Sequence, residues 1–373
     1  MVYNNILEAV GNTPLIRLNH MTGSDDAEIL VKFEAMNAGG SIKTRTALHM
    51  IETAEEKGLI QPGKTTIVEP TSGNQGIGLA LIGAVKGYRT IIIMPDSVSE
   101  ERRKLVSHYG AEVKLIHDAG NIGDCIEECL QTALKMAKED PDVYVPQQFE
   151  NEANSEIHRE QTGKEILEQA ARPIHGFCSG IGTGGTITGI GEAIKSGKIR
   201  ISGKSGAAVA GKCGLFCQEK RLAPTIQMGI GDGVIPAILN QNIYNRIEIV
   251  TDEEALETAK ELAAKEGLMC GISGGTNVAV AKRMARELGK GKTVVTVLAD
   301  TAERYFSTPL FDRKRNGKCF VLYFPFSNPT GESLYWICAV LSLWRLLILH
   351  FRWYQEMPCM RCCRIKCIRH FLR

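Results

Sequence analysis

Two patterns of hydrophobic and polar positions alternate along the chain. Amphipathic stretches with the spacing of a helix are separated by short runs that are almost wholly apolar, such as TTIVEP (65–70) and YRTIIIMP (88–95). Apolar runs of this kind are typical of strands that are buried on both faces of a parallel sheet. The pattern therefore predicts alternating strands and helices, and hence an α/β fold.

The order of the predicted elements is regular over most of the sequence. Strands are expected at residues 65–70, 88–95, 111–117, 143–149, 176–181, 247–250 and 293–299. Helices are expected at residues 46–58, 76–87, 101–110, 125–139, 158–170, 186–195, 253–267 and 277–288. Two such blocks predict two doubly wound parallel-sheet domains with the active site in the cleft between them.

The two blocks also suggest domain boundaries. A smaller α/β domain is expected at residues 37–147 and a larger one at residues 148–311. Residues 1–36 are expected to form the N-terminal part of the larger domain, and residues 312–373 an atypical tail. The ligand-binding loops proposed below fall in both domains, as a site in a cleft between them requires.

Two segments differ in texture from the rest of the chain. Residues 200–224 have no clean period, and the tail is first aromatic and apolar, then basic and rich in cysteine. Its apolar run 336–351 is shorter than the ~18–20 residues of a membrane span, and Arg345 interrupts it. We interpret both segments as products of local frameshifting or read-through in the source gene. Cys359 and Cys362 leave zinc binding as the alternative for the tail.

Composition excludes several broad classes of protein. Hydrophobic residues make up 44% of the 373 residues and charged residues 23%, which are ordinary globular values. The formal net charge of +2 gives no general field for nucleic acid, although small acidic substrates could bind at local sites. The N-terminus lacks a basic segment followed by an apolar core, which predicts a cytoplasmic protein. Its cysteines are then expected to stay reduced.

The stretch GIGTGGT (180–186) is the first candidate for a binding loop. It follows a predicted strand and precedes a predicted helix, the context in which backbone amides point at an anion. Its glycine spacing also matches a dinucleotide-binding loop, but residues 203–210 lack the acidic side chain that would bind the ribose. A single phosphate suits the loop better, and a tight turn without a ligand is the remaining alternative.

The stretch EPTSGNQG (69–76) is a second candidate, again between a buried strand and a helix. Thr71, Ser72 and Asn74 are residue types that cap helices whatever the function of the protein. The same hydroxyls and amides would also hold a carboxylate at the helix N-terminus. Both interpretations stay open from these residues alone.

Two more stretches place one polar side chain after a turn of small residues. In GISGG (271–275), Ser273 alone is most simply an N-cap. In NAGGSIKTR (37–45), Lys43 stands at the expected start of a helix. Taken alone, this lysine is either an ordinary surface charge or an amine held inside a site.

Taken together, these stretches resemble the motifs of one enzyme family. GNTPLIRLN, GGSIKTR, TSGNQG, QQFENEAN, GTGGT, GISGG and DTAERY occur in the order and at the separations that this family shows. They resemble cysteine synthase (O-acetylserine sulfhydrylase), of the fold-type II pyridoxal-phosphate enzymes with the tryptophan synthase β-like fold. The resemblance covers residues 5–311 except the segment 200–224. Each motif is weak by itself, whereas the ordered set is specific.

The resemblance implies a role for each candidate in the cofactor site. Lys43 would form the Schiff base with pyridoxal 5′-phosphate and then remove the substrate Cα proton; the readily shifted pKa of a buried lysine suits both tasks. Asn74 would hydrogen-bond the ring hydroxyl, and Ser273 would face the pyridine nitrogen. The phosphate would be held by the loop residues Gly182, Thr183, Gly184, Gly185 and Thr186.

The resemblance also implies the substrate site and the type of reaction. A serine at position 273 does not keep the pyridine nitrogen protonated as an aspartate would, which favours direct β-elimination of a good leaving group. Thr71, Ser72 and Gln148 would bind the substrate α-carboxylate, although Gln148 could be a plain strand-end amide. Gln75 replaces the usual threonine of the family and would alter this carboxylate site or the substrate preference.

The implied reaction converts O-acetyl-L-serine and sulfide into L-cysteine and acetate. It requires pyridoxal phosphate but neither a metal nor a catalytic cysteine. Family resemblance further implies a homodimer without membrane attachment. Serine acetyltransferase is a possible partner, since its C-terminal tail can bind in the active site of family members.

Departures from the family pattern keep two alternatives open. Ala38, Thr44 and Ala302 replace the usual proline, aspartate and glycine, and the segment 200–224 is not recognisable. One alternative is a cystathionine β-synthase-like enzyme, which condenses its substrate with homocysteine. The other is a non-catalytic pyridoxal-phosphate-binding homologue that acts as a regulatory partner.

Overall fold

The computed structural model describes residues 2–71, 73–120, 122–194, 198–204, 226–231, 235–312, 326–327 and 333–334. The chain divides into two compact units, Met1–Asp312 and Arg313–Arg373. The described residues of the second unit are two short antiparallel strands, Phe326–Ser327 and Ser333–Leu334. The zinc alternative and the apolar run of the tail fall outside the described residues, and the frameshift hypothesis stays a prediction.

The first unit consists of alternating strands and helices. Its strands β1 to β10 are Leu15–Arg17, Glu28–Phe33, Thr66–Pro70, Arg89–Pro95, Glu112–Ile116, Val143–Tyr144, Gly176–Gly180, Lys198–Lys204, Arg246–Val250 and Thr293–Leu298. Its helices α1 to α9 are Lys43–Glu56, Asn74–Lys86, Glu100–His108, Ile122–Glu139, Ala153–Ile157, Gly163–Ala170, Gly185–Ile194, Asp252–Glu266 and Ile272–Leu288. A π-helical turn, His158–Thr162, joins α5 to α6.

The larger sheet has six strands in the order β1-β2-β10-β7-β8-β9. The pair β1 and β2 is antiparallel, and the other neighbours are parallel. Successive residues of the central strand β10 face opposite sides: Val294 and Leu298 pack with α8 and α9, whereas Val295 and Val297 pack with α6 and α7. Because both faces are covered, the strand is apolar along most of its length.

The smaller sheet has four parallel strands in the order β5-β4-β3-β6. Ile67 and Ile92 pack against α1, α2 and α3 on one face. Val68 and Ile91 pack against α4 on the other face, where Cys125 and its neighbours on that helix are buried. The buried free thiols of this helix are therefore part of the core.

The predicted fold class is confirmed, with two local corrections. The strand predicted at 143–149 ends at Tyr144, because Pro146 cannot donate to a ladder and Gln147 has a φ of 56°. The segment 200–224 was set apart as atypical, but its first residues belong to β8, which pairs with β7 and β9. The strand predictions also missed β1 and β2.

Two further expectations concern boundaries and membranes. Both sheets lie in the compact unit that ends at Asp312, and the division at residues 37–147 and 148–311 stays a prediction. Among the described residues, none of the helices combines the length and the apolar character needed to cross a membrane.

A buried network of four charged side chains surrounds the first turn of α1. Arg45 donates from Nε and Nη2 to the two carboxylate oxygens of Glu34, each at 3.0 Å. It also donates from Nη1 and Nη2 to Glu165, at 2.6 and 2.7 Å. Lys32 Nζ reaches the same Glu165 carboxylate at 2.6 Å. Two cations thus balance two carboxylates inside the protein.

This network connects the N-terminal stretch of the chain to α1. Thr13 Oγ1 donates to Glu34 at 2.7 Å, and Asn37 Nδ2 donates to the same carboxylate at 3.0 Å. Burial alone lowers the pKa of Arg45, but the negative charges of Glu34 and Glu165 outweigh it and raise that pKa. The guanidinium is therefore a fixed charge that anchors the start of the helix.

We predict that Arg45→Met lowers the free energy of unfolding by about 3–5 kcal/mol, because it leaves two carboxylates buried with one cation. Urea unfolding of the apoprotein measures the change. Arg89→Met is the matched control, because its pair with Glu112 is 62% and 56% exposed and should contribute little to stability. Equal losses in the two variants would contradict a structural role for the network.

Candidate active site

The predicted site residues lie where strands of both sheets end. β7 ends at Gly180 before the loop that opens α7, and β3 ends at Pro70 just before α2. β10 ends at Leu298 and leads into a short 3₁₀-helix, Ala302–Tyr305. Ligands of open parallel sheets bind at the carboxyl ends of the strands. The three segments therefore occupy the edge where a site is expected.

The glycine loop between β7 and α7 is shaped for close approach to a ligand. Gly184 has a φ of 83°, a conformation that favours glycine. A Cβ at Gly182 would lie 2.5 Å from the carbonyl oxygen of Gly229, so a larger residue does not fit there. The loop leads into the N-terminus of a ten-residue helix, where backbone amides favour an anion.

Lys43 is the first residue of α1, is half-buried, and reaches this loop. Its Nζ lies 3.1 Å from Oγ1 of Thr183, which is 140 positions later in the sequence. The charge of Lys43 also acts on the buried Glu69 and His158. The structure thus brings the predicted lysine to the predicted phosphate loop.

Asn154, which the sequence analysis did not assign a role, connects the lysine helix to the loop. Its Nδ2 donates to the carbonyl oxygen of Gln148 at 2.7 Å and to Thr183 Oγ1 at 2.9 Å. Its Oδ1 accepts from Thr46 Oγ1 at 3.3 Å and lies 2.3 Å from where a Cβ at Gly185 would be. Only glycine fits at that position beside the asparagine.

His158 lies one helical turn further along and makes a parallel connection. Its Nε2 is 3.3 Å from the hydroxyl oxygens of both Thr46 and Thr186, and its Nδ1 is 3.1 Å from Thr162 Oγ1. Burial, reinforced by the positive charge of Lys43, holds the pKa of His158 well below its ordinary value. The ring is therefore neutral near pH 7 and offers one donor and one acceptor.

Glu69 positions the loop that carries Gln148. Its carboxylate accepts the backbone N–H groups of Gln147 at 3.0 Å and Gln148 at 3.1 Å. Burial raises the pKa of Glu69 to about 7, although these two hydrogen bonds and the charge of Lys43 oppose the shift. Gln148 is 5% exposed. Its backbone N–H donates to Glu69 and its carbonyl oxygen accepts from Asn154, so both of its backbone polar groups are held.

The other residues predicted to bind the substrate are Thr71, Ser72 and Gln75. The backbone N–H of Thr71 donates to Ile93 at the end of β4, at 2.9 Å, and Ser72 lies outside the described residues. Gln75 is 1% exposed, and its Nε2 lies 3.6 Å from Met50 Sδ, between α1 and α2. Its Oε1 is buried without a hydrogen-bond partner. A role of Gln75 in substrate binding stays a prediction.

Asn74 begins α2 and contacts the segment that follows β10. Its Nδ2 donates to Asp300 Oδ2 at 2.7 Å, and its Oδ1 accepts from Arg304 Nη1. Asp300 also packs on the start of α9, where a Cβ at Gly271 would meet its Oδ1 at 2.2 Å. Ser273 is the second residue of that helix and is 6% exposed; the N-cap alternative for it is wrong, because Gly271 occupies the cap.

A lysine beside a glycine loop, at the end of a parallel strand, is the arrangement expected of an α/β enzyme with a phosphate-bearing ligand. Residues 6–300 match the family described as pyridoxal-phosphate-dependent enzymes. Because this match spans more than half of the chain, the protein belongs to that family.

The chain is similar to enzymes of cysteine and related amino-acid synthesis. It is 43% identical over 312 residues to a cysteine synthase of Staphylococcus aureus strain Mu50, covering 83% of this chain and 97% of that protein. The crystal structure of O-ureido-L-serine synthase matches with a TM-score of 0.77 and 36% identity, over 85% of this chain and 98% of that chain. An O-acetylserine-dependent cystathionine β-synthase from Helicobacter pylori matches with a TM-score of 0.75 and 29% identity, over 84% and 100%.

The residues present fit pyridoxal phosphate, which is the cofactor of this family. The loop carries no side chain at Gly182, Gly184 and Gly185, and it leads directly into the first amides of α7. The hydroxyls of Thr183 and Thr186 stand at the same helix start, and the amine of Lys43 is within hydrogen-bond distance of the first. The amides and hydroxyls suit a phosphate, and the amine of Lys43 suits a bond to a carbonyl carbon of the same ligand.

The buried carboxyl of Glu69 predicts a pH-dependent contribution to stability. Its pKa is about 7 in the folded apoprotein and 4.5 as its ordinary value in the unfolded chain. Between these pH values the folded state binds more protons, so the free energy of unfolding falls as the pH rises, by at most about 1.4 kcal/mol per unit.

We expect Glu69→Gln to remove this dependence. From about pH 4 to about pH 8 the stability of the variant relative to the wild type should rise by about 2–3 kcal/mol. Urea unfolding of both proteins at several pH values measures the difference, and other titrating groups cancel in the comparison. A difference that is constant with pH would show that folding does not raise the pKa of Glu69.

Proposed function

We propose that this chain is a cysteine synthase, which makes L-cysteine and acetate from O-acetyl-L-serine and sulfide with pyridoxal phosphate. The observation that carries the proposal is the 3.1 Å contact between Lys43 Nζ and Thr183 Oγ1. It places an amine beside the loop that suits the cofactor phosphate. The similarity to cysteine synthases supports the choice of substrates.

The protein side of the cofactor site has three parts. The Gly182–Thr186 loop and the first amides of α7 would bind the phosphate, favoured by the positive end of the helix. Asn74 Nδ2 would donate to the oxygen on the ring, and the hydroxyl of Ser273 would face the ring nitrogen. When bound, pyridoxal phosphate withdraws electrons from the substrate and makes its Cα proton acidic.

Lys43 moves the proton in both halves of the reaction. Its Nζ takes the proton from Cα, and acetate leaves Cβ with the electron pair of the broken C–O bond. Sulfide then forms the new C–S bond at Cβ, and Lys43 returns the proton to Cα. The balance is one acetate released for one sulfide bound, without an oxidant or reductant.

The substrate α-carboxylate is assigned to the start of α2 and the neighbouring loop. The Oγ1 of Thr71 accepts the Gly73 N–H at 3.3 Å, so this hydroxyl lies at the helix N-terminus, where a carboxylate is favoured. Ser72 and the side-chain amide of Gln148 complete this proposed group of donors. Gln75 joins it only if its amide turns away from Met50.

A second candidate function is cystathionine β-synthase-like synthesis with homocysteine as the sulfur donor. The observation that favours it is the structural match to the O-acetylserine-dependent cystathionine β-synthase. A non-catalytic homologue that binds the cofactor and acts as a regulatory partner is the third candidate. The preference for sulfide or for homocysteine separates the two enzymes, and steady turnover excludes the non-catalytic homologue.

The assembly and location of the protein are also proposals. The family resemblance supports a homodimer in the cytoplasm that can associate with serine acetyltransferase. Its partners otherwise are the small-molecule substrates, and the net charge of +2 offers no general attraction for nucleic acid.

We predict that purified, cofactor-loaded protein releases cysteine from O-acetylserine with sulfide faster than cystathionine with homocysteine. Lys43→Ala should lower the turnover by at least ~10²–10⁴-fold, because it removes the proton-transfer group. It should also abolish the visible absorption change that O-acetylserine causes. Lys64→Ala is the control, since that side chain is 65% exposed and paired with Asp142. Turnover of Lys43→Ala near the wild-type value would contradict the assignment.

A further inference from the structure

The DTAERY stretch, Asp300–Tyr305, has no role in the reaction described above, although it lies at the centre of the site. We infer that Asp300 and Arg304 form a clamp that fixes the side-chain amide of Asn74, so that its NH₂ group presents a hydrogen to the cofactor ring oxygen. Both are positioning residues, because they act through Asn74. The inference rests on the proposed function, which assigns Asn74 to the cofactor ring.

The clamp holds both ends of one amide. Arg304 Nη1 donates to Asn74 Oδ1, and Asn74 Nδ2 donates to Asp300 Oδ2 at 2.7 Å. Asp300 and Arg304 are only 1% and 3% exposed, so water does not compete for these contacts. The two partners are four residues apart in the chain, and both contact the first residue of α2.

The chemistry of the two partners determines which way the amide points. A guanidinium has donors and no acceptor, so Arg304 can bond only the amide oxygen. An ionised carboxylate has acceptors and no donor, so Asp300 can bond only the amide nitrogen. A flip of Asn74 by half a turn would set donor against donor and acceptor against acceptor. One N–H of the NH₂ group is used by Asp300. The other has no hydrogen bond to a described residue and is available to a ligand.

The clamp is itself held by the segment that carries Lys43. Arg304 Nη2 donates to the carbonyl oxygen of Gly39, and Asp300 pairs through its backbone with Ser41 in an isolated β-bridge. Tyr305 donates its hydroxyl to Asp300 Oδ2 at 2.8 Å. The same short stretch therefore sets the position of the lysine turn and the orientation of the amide.

Desolvation does not remove the charge on which the clamp depends. Burial lowers the pKa of Arg304, and the negative charge of Asp300 opposes that shift. A guanidinium stays protonated in proteins, so the donor end of the clamp is permanent. Arg102 provides a useful comparison: it is also 3% exposed and stacks 5.2 Å from the ring centre of Tyr305, yet its guanidinium has no hydrogen bond to Asn74.

A double-mutant cycle on cofactor affinity tests the clamp. The dissociation constant of pyridoxal phosphate is measured by equilibrium dialysis for the apoprotein, Asn74→Ala, Arg304→Met and the double variant. Each single variant should weaken binding by about 10-fold, the worth of one well-made hydrogen bond. In the Asn74→Ala background, Arg304→Met should change the constant less than about 2-fold, because the amide that Arg304 positions is already gone.

Control variants separate positioning from general damage. Arg102→Met should alter affinity by the same factor with and without Asn74, since no hydrogen bond joins its guanidinium to that amide. Arg304→Lys should recover part of the affinity, because it retains a donor for Asn74. Asp300→Asn keeps the shape but can either donate or accept, and its effect should also vanish in Asn74→Ala; it replaces Arg304→Met if that variant unfolds.

The outcomes distinguish this inference from the proposed function. Full additivity of Asn74→Ala with both Arg304→Met and Asp300→Asn would overturn the clamp, while wild-type binding and turnover would leave the proposed function intact. Failure of the wild-type protein to bind pyridoxal phosphate would overturn both. Non-additive effects of Asn74→Ala with Arg304→Met and with Asp300→Asn, together with additive effects of Asn74→Ala and Arg102→Met, support the clamp.

Discussion

The buried ion pairs of Arg45 fix the one helix start on which the site depends. Lys43 precedes Arg45 by two residues, so any shift or rotation of α1 that moved the amine would also pull the guanidinium from its carboxylates. Because Glu34 and Glu165 are buried, unpairing them is strongly unfavourable. The charge network therefore restricts the lysine before any cofactor is present, which is the pre-organisation that catalysis requires.

Polar side chains join the glycine loop to α1, and glycines without a Cβ allow the segments to approach closely. Asn154 and His158 extend from one helix to the hydroxyls of α1 and of the loop, and they pack where Gly185 and Gly189 leave no room for a Cβ. The close approach and the hydrogen bonds need each other, since a larger residue would separate the groups. The loop proposed to bind the phosphate and the lysine proposed to transfer the proton are thereby joined by contacts around Thr183.

The sequence was sufficient for the fold and for the residues that stand in motifs. Apolar runs at strand spacing predicted all four strands of the smaller sheet and three of the six strands of the larger one. The ordered motifs pointed to Lys43 and the loop that it contacts. Asn154 and Asp300 were missed because their partners lie far away in the sequence and a polar residue inside a motif has no periodic signal. β8 was missed because its strand runs into a segment without a clean period. The orientation of Gln75 depends on packing between α1 and α2, which no local pattern determines.

Whether Lys43 carries the cofactor can be decided by one covalent measurement. The protein is loaded with pyridoxal phosphate, reduced with borohydride and digested, and the modified peptide is identified by mass spectrometry. The structure predicts one reduced cofactor group on the peptide that contains Lys43. A label on another lysine, or no label on protein that is folded and saturated, would contradict the assignment of this site.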